Sequence, residues 1–570
     1  MTASAEMIIT NGRVLSMNPD QPEAEAIAIA GGRILAVGNA SEIEAYRTSA
    51  TLMIDAGGTT VTPGMNESHI HLFGGSSELD QLTLFNVKGY DAMKASILAY
   101  AASKPAEPLL LANGCDYTIL ADNRGVDRHV LDSILADRPL AVMSPDHHTI
   151  WANTIALTKA GILEGRTLPP GNEIVMGEDG LATGELREHY AFDDVIALGA
   201  NGGRDLLGLS TGDEPDPAPS AADRAYDRAL MKRGLQHLAA HGITSFQNMD
   251  GNRYQLELLS EIQAEGGLIC RGRVPFHYTG GDIVTQMDKA AQMQGDFNGE
   301  WLNSGTVKMF MDGVLDSHTA VMYDDYADRP GWKGEPRFDQ VTFDRVCMEA
   351  DKRGLQIAVH AIGDGAVANV IDGYAAAEAS NGQRDSRHRI EHIEVVRADD
   401  LTRMAKMKIV ASMQPTVPPG QVGPPLEPTL SRIGRENWAR SYAWRAIRDA
   451  GIDLIFSTDW PVSPVSPMLS IHSAMTRKPW TDDQPDNRQT LMEALDAYTV
   501  RGAYAEFAES WKGQLKPGFV ADLVVWDHDL QAIEPDEMAN VAPRYTICGG
   551  RLTYGPEPKM QVETELGQEA

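Results

Sequence analysis

Val61-Thr62-Pro63-Gly64-Met65-Asn66-Glu67-Ser68-His69-Ile70-His71 is the stretch on which the fold turns. It reads as a strand ending in two histidines that flank one isoleucine. Residues i and i+2 of a strand point to the same face, so both imidazoles can reach one metal ion from one strand end. Later strand-like runs end in the same class of residue. Val307-Lys308-Met309-Phe310 carries a lysine inside an apolar run, and Leu355-Gln356-Ile357-Ala358-Val359 ends at His360. Arg389-Ile390-Glu391 ends at His392, and Leu454-Ile455-Phe456-Ser457-Thr458 ends at Asp459. One His-x-His is weak evidence; five strand ends delivering His, His, Lys, His, His and Asp in order describe a metal-hydrolase constellation.

Helix-like sequence follows the ligand-bearing strands, for example Asp364 to Glu378 and Arg397 to Met407. Ligands at the carboxyl ends of successive parallel strands are what a (β/α)8 barrel provides, because its reactive face is built there. The fold class expected is therefore α/β, a metal-dependent TIM barrel, with strands starting near Val61, Ile243, Leu268, Thr306, Leu355, His388, Lys408 and Asp453. Residues 61–475 far exceed the ~250 of a typical barrel. The excess falls in an insertion after the first strand. That insertion contains Thr211-Gly212-Asp213-Glu214-Pro215-Asp216-Pro217-Ala218-Pro219, which reads as a mobile surface loop and suits a lid.

The two chain ends resemble each other. Ala26 to Ala30 meets Gly31-Gly32 and continues through Ile34 to Gly38; Tyr545 to Cys548 meets Gly549-Gly550 and continues through Leu552 to Gly555. Both read as hairpins, the glycines supplying positive φ. The expected organisation is a composite β-sandwich from 1–60 and 510–560, a barrel from 61–75 and 235–509, an insertion or lid over 76–234, and a flexible tail at 561–570.

A net charge of −31 and a pI near 4.8 exclude a basic footprint for nucleic acid and argue against an anionic membrane surface. The acidity reads as a well-solvated surface. Cys115, Cys270, Cys347 and Cys548 form no Cys-x-x-Cys pair, which fits reduced thiols. With no signal peptide or long apolar run, a cytoplasmic protein is expected. Its partner is a small-molecule substrate rather than nucleic acid or membrane, and a homo-oligomer, a dimer, is expected.

Residue by residue, His69 and His71 fit one metal, completed by Asp459, while His360 and His392 fit a second. A protonated Lys308 would repel both ions. It makes sense as a carbamate that bridges them, or else as a lysine whose head reaches a carboxylate such as Asp312. Nitrogen and oxygen ligands with open positions suit one or two divalent ions, zinc first, with manganese, iron and cobalt as alternatives.

These residues and their setting resemble the amidohydrolase superfamily, in the branch that includes N-substituted formamide deformylases. The resemblance runs in order through Asn11-Gly12-Arg13, Pro63-Gly64 to His71, Asp146-His147-His148 with Trp151 and Asn153, and Gly242 to Ser245. It continues through Lys308 to Gly313, His360 to Asp364, Arg389 to His392, Ser412 to Pro415, Asp459 and Gly518 to Leu523. It implies a barrel plus β-sandwich, a metal centre held by His69, His71, Lys308, His360, His392 and Asp459, and hydrolysis by water, usually of C–N bonds. Glu67, Asn66, His318, Trp460 and Gly365 depart from the family pattern. They lie beside the site and bear on the substrate.

Substrate contacts are expected from His148, Trp151, His318, Trp460 and Gln414, with His147, Asn153, Glu188 and Arg477 as weaker candidates. Trp460 and His318 suggest a narrow pocket for a neutral or aromatic acyl-amide. His237 and His241 have helical metal spacing, but Leu238 stands where a metalloprotease needs glutamate, so a surface role is read there. Gly74-Gly75 is not a phosphate loop, and its glycines read as a close backbone approach to the metal site. No nucleophile elbow is present, and Cys115 has no evident base. Asp459 is the expected proton shuttle. The expected function is metal-dependent hydrolysis of an amide-type, N-acyl or N-formyl bond; the alternatives are a lyase or decarboxylase on the same scaffold, or a non-catalytic assembly protein.

Overall fold

A computed structural model of the protein describes residues 4–120, 124–145, 147–169, 171–423 and 425–557. The expected tail at 561–570 and Asp146 lie outside the described residues. The chain is mixed α/β. Two all-parallel sheets stand at its centre. One orders Leu302–Asn303, Arg271–Arg273, Ile243–Asn248 and Met65–Ile70. The other orders Phe276–His277, Thr306–Phe310, Gln356–Ala361, Arg389–His392, Val410–Met413 and Leu454–Phe456.

The two sheets join at both edges. Ile70 forms a parallel bridge with Trp460, reinforced by Asp459 N donating to His69 O at 2.9 Å and His71 N to Trp460 O at 2.8 Å. At the other side the chain itself links them, Arg271–Arg273 running on to Phe276–His277 and Leu302–Asn303 to Thr306–Phe310. There Val274 N donates to Asn303 O at 3.0 Å in the first sheet and Tyr278 N to Lys308 O at 2.9 Å in the second. Strand residues of both sheets are almost all buried, and helices such as Asp364–Asn381 and Gln340–Lys352 pack their apolar positions outside them. This is the pattern of strands covered on both faces.

The run from Val61 divides, contrary to its reading as one strand. Thr60–Pro63 pairs with Arg13–Leu15 and Leu523–Trp526, whereas Met65–Ile70 pairs with Ile243–Asn248. Gly64 marks the division: a Cβ there would lie 2.1 Å from Thr244 Oγ1. Strands from the two chain ends form a four-stranded and a six-stranded sheet. Ile9, Val14, Ile27, Val61, Leu523 and Ile547 meet in one apolar cluster that draws on both. The hairpins at Gly31-Gly32 and Gly549-Gly550 do turn on positive φ. They also abut, with Gly549 O 3.0 Å from the position a Cβ on Gly32 would occupy.

Residues 82–187 contribute a mixed six-stranded sheet with apolar clusters of its own, which sequence reading did not anticipate. The 211–219 loop, expected to be mobile, is tied down. Glu214 accepts from Arg253 N and Tyr254 N at the start of the helix Arg253–Ala264. Asp213 O accepts from Asn252 Nδ2, and Thr211 O from Thr279 Oγ1.

Candidate metal centre

His69 projects from its strand end with each ring nitrogen engaged. Nδ1–H donates to Glu391 Oε2 at 2.7 Å, leaving the Nε2 lone pair 3.4 Å from Asp459 Oδ1. His71 repeats the arrangement, with Nδ1–H on Asp250 Oδ1 at 3.2 Å and Nε2 3.2 Å from the same Asp459 oxygen. One atom from each of His69, His71 and Asp459 lies within 4.8 Å of the others. Asp459 Oδ1 is buried and has no hydrogen-bond partner among the described residues. Two lone pairs converging on an unpaired carboxylate oxygen are a donor set for a cation.

The other ligand candidates are close by. The His392 ring lies 4.9 Å from His69 and 4.4 Å from His360, centroid to centroid. Gln414 Oε1 accepts from His392 Nδ1 at 2.9 Å, and Gly313 O accepts from His360 Nε2 at 3.0 Å. Each imidazole thus has one nitrogen fixed by a neighbour and the other left as an acceptor, which is how metal-binding histidines are oriented. Glu391 and His392 both serve the centre although neighbours on a strand face opposite ways. His392 resolves this by a left-handed φ of 76°, and Asp459 has φ of 59°. Such conformations cost of order 1–3 kcal/mol and persist where the surroundings hold them.

Lys308 shares the inward column of its strand with Phe310, and its Nζ lies 4.4 Å from that ring. Nζ is buried without a hydrogen-bond partner. Asp312, the carboxylate it was read as reaching, accepts instead from the backbone of Val321, Ile362 and Gly363. Burial lowers the Lys308 amine to about 8 against the pull of Glu391 and Asp459. Burial would raise Asp459, but His69, His71 and His392 outweigh it and hold the carboxyl low. Burial disfavours a charged His71, yet Asp250 and Asp459 outweigh it and raise that ring to about 9. The same negative field that favours a proton on His71 favours a metal cation.

A cavity of about 110 Å³ opens above these residues. Its floor includes His69, His71, His360, His392 and Asp459, and its upper wall includes His148, His189, Asp316, Glu394 and Tyr442. His148 Nδ1 donates to Glu188 Oε2 at 2.8 Å, and its ring lies 5.8 Å from His360. His147 also stands in the cavity wall, whereas the other expected substrate contacts lie elsewhere. Trp151 packs in the insertion's own core, edge-on to Tyr117. His318 faces Asp328 at 3.0 Å. Gln414 spans His392 and Ser457, supporting a candidate ligand rather than bordering the cavity. The Trp460 ring is pressed on Gly75, where a Cβ would come within 2.8 Å, and against His237. Gly75 therefore makes room for Trp460, and His237 is half-buried rather than a surface residue. Asn153 caps the helix Thr154–Lys159, and Arg477 holds the backbone of Tyr442 and Ser441.

Several site residues escaped the sequence reading. Glu391 is one, paired with the fully buried Arg389 at 2.8 Å. Asp250, two residues beyond its strand, carries the strand-end signal that marks the ligands. Glu67, expected beside the site and bearing on the substrate, instead accepts from Thr458 N at 2.6 Å and so ties the first strand to the Asp459 turn. His189, Glu394 and Tyr442 have no local signal, because only long-range folding brings them to the cavity.

The amidohydrolase family profile matches residues 52–554, and the chain belongs to that family, as its motifs suggested. Among its relatives, Protein LONG AFTER FAR-RED 3 of Arabidopsis thaliana is 28% identical, over 96% of this chain and 92% of its own. N-substituted formamide deformylase of Arthrobacter pascens is 24% identical, over 97% of this chain and 99% of its own. The crystal structure of an uncharacterized metal-dependent hydrolase from Pyrococcus horikoshii OT3 superposes with a TM-score of 0.70 at 23% identity. It covers 93% of this chain and 99% of that one, and shares the fold. Among the described residues no helix is long and apolar enough to cross a membrane.

Proposed function

We propose that this chain is a metal-dependent hydrolase that cleaves the C–N bond of a small organic amide. The observation that carries the reading is the unpartnered Asp459 Oδ1 between the free nitrogens of His69 and His71, each ring pinned from behind. The parallel strands and the bridge from Ile70 to Trp460 support a closed (β/α)8 barrel. The chain-end sheets would form a composite sandwich beside it, and the insertion a roof over its mouth.

In this reading His69, His71 and Asp459 would hold one ion, zinc by donor type, and His360 and His392 would hold a second. A divalent ion so held supplies Lewis acidity and makes water a nucleophile near neutral pH. Lys308, buried and with a lowered pKa, is partly a free amine at neutral pH. Its nitrogen can add to the carbon of carbon dioxide, releasing one proton and leaving a carbamate whose two oxygens replace an unpaired amine. Asp459 is the proton acceptor. As the water oxygen bonds to the carbonyl carbon, Asp459 takes the water proton. It returns a proton to nitrogen as the C–N bond breaks, giving an amine and an acid.

The test is metal analysis of the purified protein, followed by a screen of N-formyl, N-acyl, cyclic-amide and ester compounds. Equimolar amine and acid supports the reading. Release of carbon dioxide instead would establish a lyase, and metal-free protein with no turnover would sink both.

A further inference from the structure

The central cavity has a neighbour. A second cavity of about 120 Å³ lies against it, and His189, Leu209 and Phe310 stand in both walls. Phe310 is the partition. Its ring centroid lies 4.4 Å from Lys308 Nζ and 4.9 Å from the His360 ring, and also 5.3 Å from His277 and 5.7 Å from the Arg337 guanidinium carbon.

The two chambers differ in the titratable side chains that line them. The central wall carries Glu78, Asp316, Glu394 and Asp459 and, among the described residues, no lysine or arginine. The side chamber carries Arg337 and, among the described residues, no carboxylate. Arg337 spends one donor on Glu188, Nη2 to Oε2 at 2.6 Å, and that carboxylate is already shared with His148 and Thr319. The other guanidinium N–H groups have no side-chain or backbone acceptor among the described residues. A guanidinium presents five donors in a fork that suits a carboxylate. His189 adds a second polar atom. It is 6% exposed, and its Nδ1 has no partner.

We propose that the side chamber is a carboxylate subsite, with Arg337 as the anion receptor and His189 as a second donor, taking the acid half of the cleaved substrate. It rests on the hydrolase reading for the source of that acid. Amide hydrolysis at neutral pH yields a carboxylate, the planar anion that a guanidinium fork accepts. The guanidinium beyond Phe310 offers it the opposite sign.

Calorimetric titration of sodium benzoate into the metal-loaded protein tests this, with benzamide as the neutral isostere. Arg337→Gln is expected to weaken benzoate about tenfold to a hundredfold, the range for a lost charged hydrogen bond, and to leave benzamide unchanged. Arg337→Gln removes a partner of buried Glu188 and can impair folding, so two further variants are included. Arg337→Lys keeps a charge for Glu188 while losing the fork, and Thr279→Trp obstructs the exposed rim with Arg337 intact; both should weaken benzoate. No benzoate binding by the wild type, or binding indifferent to all three variants, overturns the subsite. So does binding that depends on the metal but not on Arg337. Amide turnover alongside Arg337-independent benzoate binding defeats the subsite alone. Arg337-dependent binding in a protein that hydrolyses no amide retains the subsite and defeats the hydrolase reading.

Discussion

The strand ends and the roof above them hold their polar groups differently. At the strand ends each candidate histidine has one nitrogen fixed by a partner from the sheets or their first loops: Glu391, Asp250, Gln414 or Gly313 O. In the roof His148 and Arg337 share the single carboxylate of Glu188, which also accepts from Thr319. The first arrangement spreads its constraints over separate partners, so one loss disturbs one ligand. The second concentrates three elements on one buried side chain 131 and 149 residues from two of its partners. Chemistry placed on strands is rigid by construction; a cavity wall assembled from distant segments depends on a few junctions.

Substitutions can break or sharpen that contrast. The largest effect on turnover is expected at Asp459. Asp459→Asn keeps size and one ligating oxygen, so metal content by elemental analysis should survive while turnover falls by roughly 10²–10⁴. Full turnover with full metal would remove Asp459 as proton acceptor. Next come the partners behind the ligands. Glu391→Gln and Gln414→Leu should each weaken metal affinity about 10–100-fold in competition with a chelator, with little change in the other histidines. Loss of all metal from either single variant would show that the strand ends are as concentrated as the roof.

The roof responds to acid. Burial would raise the Glu188 carboxyl, but His148 and Arg337 outweigh it and hold it at about 2 against the ordinary 4.5. A lowered folded pKa means its stabilisation is full above about pH 4.5 and is lost as pH falls toward 2. Thermal melts from pH 7 to 3 should therefore show a steeper acid decline in wild type than in Glu188→Gln. Parallel curves would mean that Glu188 is not the junction described here. The smallest effect on turnover is expected at Trp460, which packs against Gly75 and His237 rather than lining the cavity. Trp460→Ala should lower stability by about 3–5 kcal/mol, as for a large core aromatic. Its kcat/KM for whichever amide the screen finds should change only a few-fold in the protein that remains folded.

The same contrast explains what was legible in the chain. Strand alternation and terminal ligands are local signals, so His69, His71, Lys308, His360, His392 and Asp459 could be named and the parallel strands located. The divided strand at Gly64 was hidden because Val61 to His71 reads as one extended run, and only Thr244 across the interface shows why it breaks. Trp460 was read as bordering the pocket because it follows Asp459. The left-handed turn at Asp459 sends the next residue toward the helix Leu72–Glu78 instead. The sheet of residues 82–187 and the wall residues Glu394, Tyr442 and His189 come together through tertiary contacts with no sequence period to announce them.

The seam at Gly64 also sets a timetable for synthesis. Thr60–Pro63 is completed by Leu523–Trp526, and Trp526 Nε1 donates to Thr62 Oγ1 across 464 residues. At ribosomal rates of about 5–20 residues per second, the neighbour arrives roughly half a minute to a minute and a half after the strand it must secure. Through that interval the strand bearing His69 and His71 trails an open sheet edge, a template for pairing with the wrong chain. A nascent protein cut short before residue 523 would hold all its candidate ligands and still lack the anchor of the first two.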